Sequence, residues 1–259
     1  MSNLSSKKKL IPAKIDTPGP YQSIRLFRME GMTYSEENLA KLLKKIKYSP
    51  KNSKDATQGF ETAAVDGKAV VCVFKAGFKV SVFNFVDGER KKTGSYVSEE
   101  KATVIIKYRP KTVEVRGSDR IARRFRRVLQ DETGVILTTL SLDEDAAKTL
   151  YDSLAVPDAS KKPRIDYVLL TGMDPKKTSV TRAEFKGEGI QGDKNLLPWT
   201  MSYKGHISRF GGLIEYKSGA KLKTIINTEA GSLVVYKTGE GLYDKDLRWI
   251  VRQFEDAAK

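Results

Sequence analysis

Cysteine and histidine are almost missing from this chain: Cys72 and His206 are the only examples in 259 residues. One thiol cannot close an internal disulfide, and one thiol with one imidazole cannot build a zinc site. Any Ser–His–Asp or Cys–His catalysis would rest on His206, which has no nucleophile signature beside it. Cys72 sits in the apolar run AVVCVF and reads as a small buried strand residue, pointing to a reducing, intracellular compartment. Long apolar runs are missing as well. None approaches the ~18 residues that span a bilayer, so no membrane partner is expected. The leading MSNLSSKKKLIPAK has lysines with no hydrophobic stretch behind them, which does not fit a secretory signal. There is no GxxxxGK[ST] loop. The one GxGxxG match, Gly187 to Gly192, is followed by Pro198 rather than a helix. A dinucleotide site needs a helix N-terminus there, so the match reads as a turn and no cofactor is expected.

Negative charge is the other scarce quantity. The chain has 47 Lys and Arg against 32 Asp and Glu, a formal net charge of +15. The imbalance is concentrated. Between Lys101 and Gln130, ten Lys and Arg residues meet only Glu114 and Asp119, a surplus of eight. A folded element with that much charge of one sign repels itself unless an anion relieves it. Nucleic acid is the polyanion whose phosphates arginine binds through paired hydrogen bonds. The expected contacts are Arg116, Arg120, Arg123, Arg124, Arg126 and Arg127, with Lys107, Arg109 and Lys111 at the margin. Contacts of this kind position a protein on a backbone without specifying bases.

The fold class expected is α+β. Residues 1–20, with Pro12, Pro18, Gly19 and Pro20, read as a flexible basic lead. Helices are expected over about 34–47, from Ser118 to Gly134, over 142–154 and over 244–257. The first and third rest on the capping-box spacings Thr33 to Glu36 and Ser141 to Glu144. Strands are expected from Ala69 onward, with a turn at Ala76-Gly77, a hairpin at Asp87-Gly88 and a break at Pro110. VPDASKKPR, with Pro157 and Pro163, reads as a linker. It divides an N-terminal half, 21–156, from a C-terminal antiparallel sheet closed by a helix, 164–259. Each half is a run of strands covered by helix, which suggests a pseudo-twofold duplication. The layout is similar to that of saddle-like, duplicated nucleic-acid-binding folds.

These features point to a non-catalytic nucleic-acid-binding protein, an accessory subunit of a nucleic-acid-processing or guided-nuclease complex. Two rivals belong to other classes. Glu215-Tyr216-Lys217 gives the E-x-K spacing of some metal-dependent nucleases, with Asp193 available as a second ligand. Glu184-Phe185-Lys186 matches the same short pattern, and no metal site is expected at either. The second rival is an interaction protein whose basic face docks an acidic partner. Aromatics beside cations, such as Tyr108-Arg109, Tyr216-Lys217 and Tyr236-Lys237, suggest base stacking. Strand alternation, however, puts sequence neighbours on opposite faces.

Overall fold

A computed structural model describes residues 13–51, 55–155, 164–191, 193–196 and 198–259. Its elements in chain order are β1 (Lys14–Ile15), β2 (Tyr21–Glu30), α1 (Glu36–Lys45), β3 (Gln58–Asp66), β4 (Ala69–Val86), β5 (Glu89–Lys107), β6 (Thr112–Arg116), α2 (Asp119–Thr133), β7 (Ile136–Thr139) and α3 (Glu144–Ala155). There follow β8 (Arg164–Thr171), β9 (Arg182–Lys186), β10 (His206–Glu215), β11 (Lys221–Asn227), β12 (Ser232–Tyr236), β13 (Leu242–Tyr243) and α4 (Asp244–Ala257). Antiparallel strands with a few covering helices make this an α+β chain. It divides into two compact units. One runs from Ile24 to Thr138, and the other comprises 139–259 with the described residues before Ile24.

In the Ile24–Thr138 unit the sheet order is β3-β4-β5-β6-β2, with β7 pairing β2. Helices α1 and α2 bury their apolar stripes on one face. Leu39 and Leu43 from α1 join Ile121, Phe125, Val128 and Leu129 from α2 in a core with Phe60, Phe74 and Val104. Phe125 meets Phe74 edge-on at 5.6 Å and Phe60 at 6.3 Å. Phe125→Ala should cost about 3–5 kcal/mol, since the ring is fully buried and its loss leaves a void in the core. Urea unfolding measures it.

The ends of α2 follow the expected chemistry. Ser118 caps the first turn by accepting from Ile121 N, and Gly134 closes the last with φ 70°. The two expected capping boxes do not form. Ser35, not Thr33, accepts from Asn38 N, and Asp143, not Ser141, accepts from Ala146 N. Lys14 and Ile15, expected in a flexible lead, pair with Tyr243 and Leu242. Residues 1–12, and 156–163 of the expected linker, lie outside the described residues. β2, between the lead and α1, had no counterpart in the expected elements.

Ala76-Gly77 is not a turn. β4 passes straight through it, paired with β5 from Ala69↔Lys107 to Val86↔Glu89. The glycine serves close approach instead. Gly77 N donates to Thr57 O at 2.8 Å, and a Cβ there would lie 2.7 Å from Val97 and 3.1 Å from Ala56 Cα. Gly77→Val should therefore lower the melting temperature by several degrees, because backbone must move to admit it. Thermal unfolding tests this. The Asp87-Gly88 turn forms as expected, with φ 54° and 79°.

In the second unit the order is β12-β11-β10-β8-β9. α3 lies against β10 and α4, with Tyr151 edge-on to Phe210 at 5.2 Å. α4 buries Leu247, Ile250, Val251 and Phe254. Pro198 opens a wide helical turn, Pro198–Ser202, closed by Tyr203 N donating to Pro198 O at 3.0 Å. A proline at the first helical position loses no bond, which is why the expectation that it opposes a helix fails. No described helix is long and apolar enough to cross a membrane.

Candidate nucleic-acid interface

Because Ile121, Ala122, Phe125, Val128 and Leu129 all point into the core, the arginines of α2 are forced outward. At about 100° per residue, Arg120, Arg123, Arg124 and Arg127 follow i, i+3, i+4, i+7 and form one stripe. Arg123 is the most open of the ion-paired members, its side chain 73% exposed against 43% for Arg120. Arg126 lies off the stripe, its Nε donating to Gln130 Oε1 at 2.9 Å.

Two carboxylates stand beside the four cations. Arg123 pairs with Asp119 at 2.9 Å, and Arg25 adds a second cation to that carboxylate at 2.6 Å. Asp119 therefore pairs within the helix, one turn before Arg123. Arg120 pairs with Glu100. Arg124 donates to Gln58 Oε1 at 3.2 Å, while Arg127 is exposed and makes no ion pair among the described residues. Exposed pairs of this kind are worth about 0–1 kcal/mol and exchange readily for phosphate. The guanidinium groups of Arg120 and Arg124 also lie over the ring of Phe78, at 4.1 and 5.6 Å. An aromatic support fixes their height above the sheet without neutralising them.

The remaining expected contacts are placed elsewhere. Arg116 is only 3% exposed and donates from Nε to the buried carboxylate of Glu114 at 2.6 Å. Lys107 Nζ approaches the same carboxylate at 3.2 Å. Burial works to raise the Glu114 carboxyl, but Arg116 and then Lys107 outweigh it and hold the group below the usual carboxylate range. Arg116 and Lys107 thus serve an internal ion cluster, with Arg116 buried and Lys107 at its edge, 21% exposed. Arg109 and Lys111 are exposed in the β5–β6 turn. That turn sits at the far end of the β5–β6 ladder from Ser118, so it does not extend the stripe.

Among the aromatic–cation pairs adjacent in sequence, Arg124-Phe125-Arg126 and Tyr216-Lys217 turn their rings into the core. Phe125 is core, and Tyr216 is buried, bonded to Thr224 Oγ1 at 2.7 Å and packed on Trp249 at 5.0 Å. Pairing across strands does what adjacency cannot. In the second unit Lys186 lies over Tyr167 at 5.9 Å, and Lys223 lies over Tyr236 at 5.4 Å. Tyr236 in turn meets Tyr21 at 5.5 Å. These residues share a half-exposed sheet face with Arg209 and Ile225, by the register Arg209↔Asn227 and Gly211↔Ile225. Sequence reasoning missed them because their partners are set by register.

The E-x-K residues are dispersed. Glu215 ends β10 opposite Lys221, Lys217 lies in the turn that follows, and Asp193 accepts from Asn195 N in its own turn. Glu184 pairs with Lys186 at 3.2 Å. Among the described residues, no three His, Cys, Asp or Glu side chains converge as metal ligands. Nε2 of His206 lies 3.3 Å from Thr171 Oγ1 and 3.2 Å from Glu229 Oε1. Both contacts fall on one ring nitrogen, whereas a nucleophile–base–orienter relay uses two.

No protein-family model matches this sequence, and no curated protein matches it significantly.

Proposed function

We propose that this chain is a non-catalytic nucleic-acid-binding protein that holds the phosphate backbone on the α2 stripe. The observation that carries the reading is geometric. Arg120, Arg123, Arg124 and Arg127 face one way on a rigid, capped helix, with two carboxylates beside them. Planar forks spaced along a helix suit successive phosphates better than they suit an acidic protein, whose carboxylates would have to match the same spacing. Arg109 and Lys111 belong to the wider basic field rather than to this surface, and Arg116 and Lys107 drop out of the contact set.

The element order supports a structural duplication. β2-α1 leads into the meander β3-β4-β5-β6 and then α2. β7-α3 leads into β8-β10-β11-β12 and then α4, with β9 added outside β8. We read the chain as two copies of one strand–helix–meander–helix unit. In this reading the protein is an accessory subunit, presenting guide, target or substrate strands to a separate nuclease or ribonucleoprotein.

The test is binding to labelled DNA and RNA strands of several unrelated sequences. Affinities should agree within a few-fold at equal length, because phosphate contacts carry no base information. Failure to bind any of them rejects the reading. Mg²⁺-dependent cleavage that vanishes in Glu215→Ala would replace it with the nuclease.

A further inference from the structure

Beyond Phe78 the paired strands β4 and β5 leave the body of their sheet. Eight further residues of β4, Lys79 to Val86, pair with Val97 to Glu89 and turn at Asp87-Gly88, a two-stranded ribbon about 27 Å long. Residues 81–93 are all exposed. Soluble proteins cover or charge such edges. This ribbon instead displays Phe85 at 77% and Phe83 at 40% exposure. The register Phe83↔Lys92 and Phe85↔Arg90 puts two aromatics and two cations on one face, with Arg90 lying 4.1 Å over the Phe83 ring. The acidic residues of the ribbon are elsewhere: Asp87 is in the turn, and Glu89 reaches Lys91, its neighbour on the other face, at 3.8 Å.

We propose that this ribbon is a second nucleic-acid contact that selects unpaired bases, with Phe85 stacking on a base while Arg90 and Lys92 hold the flanking phosphates. The inference rests on the proposed backbone-binding function and adds the class of strand. Aromatic rings next to cations match a nucleotide, which offers a π-face next to an anion. The ribbon springs from Phe78, the ring that Arg120 and Arg124 cover, but alternation along β4 turns Phe83 and Phe85 to the opposite face from Phe78, so the ribbon is a contact separate from the stripe. Strand class follows from relative cost. A stacked duplex exposes no base face, and unstacking one step costs about as much as stacking on one ring returns. An unpaired base offers its face without that cost.

The experiment compares wild type, Phe83→Ala/Phe85→Ala and a four-arginine variant with Arg120, Arg123, Arg124 and Arg127 changed to Gln, using a short labelled oligothymidylate, a duplex of equal length and heparin as a base-free polyanion. Phe83 and Phe85 lie outside the core, so circular dichroism should show both variants folded. Wild type should prefer the single strand by about tenfold or more, and the phenylalanine variant should lose about 10- to 100-fold on it alone, with heparin binding and salt slope unchanged. Phe85→Trp should be quenched by the oligothymidylate and not by heparin. Equal binding of single strand and duplex, indifferent to Phe83 and Phe85, overturns the ribbon proposal and leaves the backbone reading intact. No binding of any strand overturns both. A Phe85→Trp signal that responds to anionic lipid vesicles and not to the strand overturns it in favour of a membrane surface.

Discussion

Glu114→Ala should be among the most destabilising single substitutions in the Ile24–Thr138 unit, costing about 3–5 kcal/mol. The carboxylate is fully buried, with Arg116 Nε at 2.6 Å and Lys107 Nζ at 3.2 Å. Removing it leaves Arg116, only 3% exposed, as a buried cation short of its carboxylate. Removing an ion and removing a pair differ in kind, because the desolvation cost of the survivor remains while the attraction goes. Lys107→Ala should cost far less, since its side chain is 21% exposed and water replaces part of the loss. Denaturant unfolding compares the two, and a Glu114→Ala loss below about 1 kcal/mol would contradict the assignment.

The same cluster sets a pH dependence. The folded carboxyl of Glu114 is held below its ordinary value, so its contribution is present at neutral pH. As pH falls through the usual carboxylate range, near about 4.3, the unfolded chain takes up the proton first and the stabilisation drains away. Glu114→Gln should flatten that acid limb while leaving the alkaline limb unchanged. A melting series from neutral to acid pH reads the difference.

The second large effect concerns binding. Changing Arg120, Arg123, Arg124 and Arg127 together to Gln should weaken nucleic-acid affinity by on the order of 10³ at 0.1 M salt, the counterion-release value of about four phosphates. The fold should survive, because α2 is held by Ile121, Phe125 and Leu129 beneath and by Ser118 and Gly134 at its ends. Arg116→Gln should instead lower stability without changing the salt response of the folded protein. That contrast separates a phosphate contact from a core cation, and anisotropy with unfolding on the same samples measures both.

How much of this was legible in the sequence differs by element. Helix α2 was fully legible, because its cap, its αL glycine and its apolar spacing are local signals that agree. The Glu114–Arg116 cluster was half legible. Val113-Glu114-Val115-Arg116 alternates as a strand and places glutamate and arginine on one face. That face reads as solvent in the sequence, yet both residues are buried. The ribbon was least legible. Glu89-Arg90-Lys91-Lys92-Thr93-Gly94 has no strand pattern of its own and is extended only because β4 pairs with it. Gly77 misled for the opposite reason. Its local signature is a turn, and its actual role, admitting residues 55–57 close against β4, depends on chain distant in sequence.

The central claim, that the α2 stripe holds a phosphate backbone, is tested most directly by the salt slope of binding. Labelled strand would be titrated with wild type and with the four-arginine variant across a salt series. The account predicts that the slope of log K against log salt becomes shallower in the variant by about 3 on single strands and about 3.6 on B-form duplex. Parallel slopes, or a wild type whose affinity ignores salt, would contradict it and turn the basic face toward an acidic protein partner.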